Sequence, residues 1–133
     1  MIDEPLLARW FFPAAIGLIA LGCASPTKPL RSQKLVLAPT GMMQPLLTGA
    51  PQTAGMHSGH VLLKPGEAMH RHSTEDNEEL LVFLAGRARV VLGSEPVEMA
   101  AGEVLYIPPH TEHEVHNDGT EVVRYVFVVA KAR

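Results

Sequence analysis

Two histidines one residue apart, His70 and His72, are the first feature of this chain that can do chemistry. On a strand, residues i and i+2 point to the same face, so both imidazoles can reach one ion at about 2 Å from each nitrogen. After a short polar stretch, Glu78-Glu79 opens the apolar run LLVFLAG, and far downstream His113 follows PPHTE. Three imidazoles and a carboxylate form a mixed N/O donor set that suits Fe(II), Mn(II), Ni(II), Cu(II) or Zn(II). An ion held by three or four protein ligands keeps open positions, which distinguishes a reactive metal from a structural one. A His-x-His pair by itself also fits a solvated, polar strand end.

The elements that must hold these groups are short. Eleven glycines and eleven prolines in 133 residues argue against a helical bundle and for strands joined by tight turns. Apolar runs alternate with turn signals: Val61–Lys64 before Pro65-Gly66, Leu80–Leu84 before Ala85-Gly86, and Ala88–Leu92 before Gly93-Ser94. Val104–Ile107 precedes Pro108-Pro109, and Val122–Val129 lies near the end of the chain. This spacing predicts an all-β sandwich or barrel, with Leu80–Leu84 and Arg87–Leu92 paired as a hairpin across Ala85-Gly86. The last run, VVRYVFVVA, reads as a strand covered on both faces or lying at a dimer interface, and a homodimer is expected from it. A hydrophobic content of 47% excludes global disorder, and a net charge of −3 offers no electrostatic footprint for nucleic acid. No glycine-rich phosphate loop ending in Lys-Ser/Thr is present, which argues against nucleotide hydrolysis.

Together these residues resemble the cupin family over roughly residues 57 to 129. The first cupin motif places His-x-His after a glycine, then Glu, six residues and Gly; here it reads Gly66-EAM-His70-Arg-His72-STEDNE-Glu79-LLVFLA-Gly86. Three residues separate Gly66 from His70 where the longer family form has five, and six separate His72 from Glu79 where three or four are usual. The count to Gly86 selects Glu79 over Glu78, and strand parity allows only one of the two to face inward. The second motif reads Gly102-EVLYI-Pro108-Pro109-His110-TE-His113-EVH-Asn117, with His110 where the family has glycine. The resemblance implies a six- to eight-stranded, jelly-roll-like β-barrel in which His70, His72, Glu79 and His113 hold one divalent metal ion (Fe, Mn, Zn, Ni or Cu). It implies a metal-dependent reaction on a small organic substrate, of oxygenase or dioxygenase type first and isomerase or lyase type next. The alternative is a non-catalytic module that binds a metal or a small ligand.

The remaining polar residues carry their own expectations. His110 is placed to border the pocket or act as an acid or base, whereas His116 has the parity of a surface residue. His57 and His60 have opposite parity, so at most one points inward. Tyr106 and Arg124 are candidates for binding an anionic substrate, against core packing for the first and an ion pair for the second. Asn117 reads as a strand-end hydrogen-bonding residue.

The N-terminal part of the chain reads as an address. Trp10 to Gly22 (WFFPAAIGLIALG) carries no charge. It is shorter than the roughly 20 residues that span a membrane, and it has the length of the apolar region of a secretory signal. The lone Cys23 directly after Leu21-Gly22 resembles the lipobox of bacterial lipoproteins. That resemblance implies cleavage before Cys23, acylation of its sulfur, and an exported, periplasmic, membrane-tethered protein. On this reading 1–22 is a signal segment, 23–34 a polar tether and 35–133 the barrel domain. With no cysteine after Cys23, the body has no disulfide, no thiolate ligand and no thiol catalysis.

Overall fold

A computed structural model of the protein describes residues 29–133. The signal segment, Cys23 and the start of the tether lie outside the described residues. Nine strands follow: β1 (Met43–Thr48), β2 (His57–Leu63), β3 (Ala68–Ser73), β4 (Asn77–Ala85), β5 (Arg87–Leu92), β6 (Glu95–Ala100), β7 (Val104–Ile107), β8 (Glu112–His116) and β9 (Val123–Lys131). They form two antiparallel sheets, in the orders β1-β2-β9-β4-β7 and β3-β8-β5-β6. The expected six to eight strands become nine because β1 and β6 are outer strands of their sheets, where a proline is tolerated. Pro45 and Pro96, and the two glutamates of β6, hide those strands from a reading based on apolar runs.

The core is the space between the sheets. Val61, Leu63, Leu81, Phe83, Ile107, Val123 and Tyr125 project from the first sheet, and Met69, Ala88, Val90, Met99 and Val115 from the second. Each alternates with outward neighbours along its strand, the period-two pattern of a sheet with one buried face. Phe83 and Tyr125 lie with ring centroids 5.2 Å apart at the centre of this layer.

One expectation needs correction. β4 and β5 are not a hairpin: they belong to different sheets, and the chain turns the corner between them at Gly86. Gly86 has φ +74, and a Cβ there would lie 2.5 Å from the Val122 carbonyl oxygen, so the corner needs glycine for conformation and for space. The hairpin that forms is β5–β6, closed by Gly93-Ser94 with Leu92 opposite Glu95. The apolar last strand is an inner strand. β9 lies in the middle of its sheet, paired with β2 and β4 along most of its length.

Of two buried polar residues, Asn117 ties neighbouring segments together and His60 lies on the outer face of its strand. Asn117 is 1% exposed; its side-chain amide donates to the carbonyls of Leu63 (2.9 Å) and Glu121 (2.7 Å), and its Oδ1 accepts from Gly119 N. Its backbone also pairs with Gly66 and Glu67, so one side chain and one peptide join β2, the β2–β3 turn and the β8–β9 loop. His60 is 1% exposed on the outer side of β2, and no described residue pairs with its Nε2. The segment before β1 reaches this face, where Arg124 donates to the carbonyls of Ala38 and Pro39. Burial, then the nearby Arg124 cation, holds the His60 pKa below its ordinary 6.5.

Replacing Asn117 by alanine strands buried backbone groups at about 1–3 kcal/mol each, so chemical denaturation is expected to show a loss of about 3 kcal/mol. For His60 the sign follows from proton binding. Between its lowered folded pKa and 6.5 the unfolded chain binds more protons, so the fold is fully stable above 6.5 and loses stability as pH falls below it. Denaturation midpoints measured from about pH 7.5 to about pH 5 should show this fall, with a shallower slope in His60→Gln.

Candidate metal centre

The inward faces of β3, β4 and β8 bring together His72, Glu79 and His113, whose donor atoms all lie within 4.8 Å of one another. The strand register explains the meeting. His72 pairs with His113 across β3 and β8, and Glu79 projects into the same space from β4, beside Leu81 and opposite Ile107. Glu79 and His113 are 4% and 1% exposed, so this carboxylate and imidazole are enclosed by Met43, Val61, Leu81, Val115 and Tyr125. The His72 and His113 rings meet edge to face with centroids 4.2 Å apart, and His113 Nε2 lies 3.1 Å from Glu79 Oε2.

Backbone carbonyls orient both imidazoles. His72 Nδ1 lies 2.8 Å from the His70 carbonyl oxygen, and His113 Nδ1 lies 3.3 Å from that of Thr111. A carbonyl only accepts, so each Nδ1 carries the proton and each Nε2 presents its lone pair. With that tautomer His113 Nε2 and Glu79 Oε2 face each other at contact distance as two lone-pair donors, an arrangement that a shared cation satisfies. Burial lowers the His72 pKa most; the hydrogen bond to the His70 carbonyl raises it in part, His113 lowers it further, and Glu79 raises it least. The neutral ring favoured by burial is the form that binds a metal. Ligands on one ion with bonds of about 2.1 Å lie roughly 3 Å apart when adjacent, so the 3.1 Å separation fits a shared divalent metal. The residues therefore fit the ion that their donor types call for.

His70 is not part of this group. Met69 pairs with Val115 and His72 with His113, so β3 takes three steps where β8 takes two. That extra residue is a β-bulge, and it cancels the parity that would align His70 with His72. Met69 faces the core, His70 and Arg71 are both exposed, and His72 turns inward. Arg71 anchors the bulge outside, donating to the Gly93 carbonyl at 2.9 Å and pairing with Glu112 and Glu114.

The sequence held a signal for this arrangement. Counted from His72, five residues separate it from Gly66, and four separate Thr74 from Glu79. Both departures from the motif then disappear, and Thr74 stands in the place of the second histidine. Thr74 is buried, donates through Oγ1 to the Pro108 carbonyl and accepts from Thr111 N, so it braces the loop that leads to His113. The donor set is thus two histidines and one carboxylate.

The other candidates lie elsewhere. Glu78 faces outward and accepts from Tyr106 Oη at 3.1 Å. Tyr106 is exposed on the outer face instead of packing in the core, and among the described residues Arg124 donates to carbonyls instead of forming an ion pair. His110 is exposed, 3.6 Å from Asp76 at the barrel mouth, and His116 lies 3.2 Å from Glu114 on the outer side of β8. His57 faces the barrel mouth, while His60 faces away from it. Sequence reasoning did not single out Thr74, Tyr125, Phe127 or Lys131. Phe127 and Met43 separate the buried centre from a cavity of about 670 Å³ that opens at the barrel mouth and has Glu79 in its wall.

Two facing antiparallel sheets with an inward two-histidine, one-carboxylate group define a small β-barrel of the kind that encloses one ligand. The family model for the cupin domain matches residues 59–129, and the chain belongs to the cupin family. Over 93 residues it is 29% identical to the tetracenomycin polyketide synthase protein TcmJ of Streptomyces glaucescens, covering 68% of this chain and 61% of that protein. Over 51 residues it is 39% identical to an uncharacterized protein of Methanocaldococcus jannaschii, covering 38% of this chain and 39% of that one. The chain thus spans less than two thirds of either relative. Among solved structures it is similar to a cupin 2 conserved barrel domain protein from Salinispora arenicola, with a TM-score of 0.61 and 26% identity, covering 82% of this chain and 91% of that one.

Metal content separates His70 from the centre. The full chain, purified without chelators and loaded with Zn(II) or Co(II), is expected to bind about one ion, and His70→Ala is expected to bind it as well as the parent. His72→Ala and His113→Ala should each lose more than about a hundredfold in affinity, beyond the effect of losing an outer-shell partner.

Proposed function

We propose that this cupin is a metal-dependent enzyme of oxygenase type that acts on a small organic molecule entering through the barrel mouth. The observation that carries the reading is the donor set itself: His72, Glu79 and His113, with Thr74 where a further histidine would stand. Ferrous iron held by His72, Glu79 and His113 would supply open coordination positions for a substrate oxygen and dioxygen. Glu79 would be the anionic ligand and the two carbonyl-oriented imidazoles the neutral ones, the forms in which these groups bind a metal. Met43 and Phe127 form the throat between the cavity and the centre, limiting water and setting how substrate approaches. Tyr125 lines the inner chamber, and burial pushes its pKa well above the ordinary phenol value. Its hydroxyl therefore keeps its proton and offers a hydrogen bond rather than a charge.

The test uses the full chain loaded with Fe(II) without oxygen, then exposed to nitric oxide as a stand-in for dioxygen. An iron–nitrosyl signal in electron paramagnetic resonance is expected in the parent and in His70→Ala, but not in His113→Ala. Iron that binds yet gives no nitrosyl signal would overturn the oxygenase reading in favour of a closed binding module. Failure of every candidate ion to bind would remove the metal reading altogether.

A further inference from the structure

The cavity above the metal centre is apolar over most of its wall and, among the described residues, carries one lysine without an ion pair. Along the inner face of β9 the residues run Tyr125, Phe127, Val129 and Lys131, from the buried chamber through the throat to the mouth. Val129 pairs with Glu79 and Lys131 with Asn77, so Lys131 stands two residues beyond the carboxylate that faces the centre. At the rise of an extended strand this is about 7 Å, a length that a six-membered ring or a short chain fills. Phe127 can lie flat at the throat because residue 59 is glycine. A Cβ at Gly59 would fall 2.5 Å from the ring.

The charges select what fits. Four ionisable residues line the cavity: His57, Asp76, Glu79 and Lys131. Glu79 belongs to the donor group, and Asp76 lies 3.6 Å from His110. Lys131 makes no ion pair or side-chain hydrogen bond among the described residues, although it stands at the end of an apolar wall. A lone ammonium there suits a monoanion, since among the described residues lining the cavity no second lysine or arginine stands beside it to hold a phosphate. Asp76 on the same rim opposes a second acidic group.

We propose that the cavity takes a ring-bearing organic monoacid, its apolar body against Phe127 and Val129 and its carboxylate on Lys131. The end remote from the carboxylate then faces His72, Glu79 and His113. This deepens the oxygenase reading by naming a substrate class, and it rests on that reading only for which end reacts. Lys131 is a specificity-determining residue in this account, since it binds substrate remote from the reacting end.

The test compares 3-phenylpropionate with 3-phenylpropan-1-ol on the full metal-free chain by titration calorimetry or ligand-observed NMR, and repeats the comparison after Zn(II) loading. The acid is expected to bind at least tenfold more tightly than the alcohol in the metal-free protein. Lys131→Met should erase that preference while leaving alcohol binding unchanged, Lys131→Arg should keep it, and Phe127→Ala should weaken both compounds. Equal binding of the two compounds, binding of neither, or an acid preference that survives in Lys131→Met would overturn the proposal. Because the decisive comparison is made without metal, a chain that fails to load metal but keeps its Lys131-dependent preference would sink the oxygenase reading alone.

Discussion

The centre depends on one extra residue in β3. Between Met69 and His72 the strand takes three steps against two on β8, and this bulge decides which histidine enters the barrel. Met69 is drawn into the core by burial, and Arg71 is held outside by the Gly93 carbonyl and two glutamates. With both ends of the bulge committed, His72 must point inward and His70 outward. Exposed ion pairs contribute little stability one by one, so the apolar burial of Met69 sets the register and Arg71 seats it.

Around that point the barrel is graded. The space between the sheets is filled by aliphatic and aromatic side chains, apart from the enclosed donor group. Burial of Glu79 with two neutral imidazoles would be costly unless a cation joined them, because a carboxylate removed from water needs a partner. The enclosure that keeps the donors dry also holds Tyr125 in its neutral form. Toward the mouth the wall stays apolar along β9 and ends in Lys131, so one strand contributes to the inner chamber, the throat and the rim.

The loops that close the barrel hold this arrangement in place. Gly86 lets the chain cross from one sheet to the other in one residue, and Asn117 binds β2, the β2–β3 turn and the β8–β9 loop to one another. Thr74 links the end of β3 to Pro108 and Thr111, which fixes where β8 begins and hence where His113 lies. A residue in the motif position of a metal ligand thus positions a ligand in the opposite strand.

The sequence by itself determined the all-β class, the family and the donor types, because period-two apolar runs, turn residues and motif spacing are local properties. It also carried the count that marks His72, five residues after Gly66, although the nearer His-x-His pair outweighed it. Other features were decided only by the tertiary structure. Parity predicts a common face for His70 and His72 only while the strand is regular, and a bulge is defined by its partner strand. Leu80–Leu84 and Arg87–Leu92 look like a hairpin until each finds its partners in a different sheet, β9 and β7 for the first and β8 and β6 for the second. Lys131, near the C-terminal end, shows no local pattern at all; it acquires meaning because β9 pairs with β4 and carries it to the mouth above Glu79. Sequence records which side chains are available, and pairing between distant strands decides which of them meet.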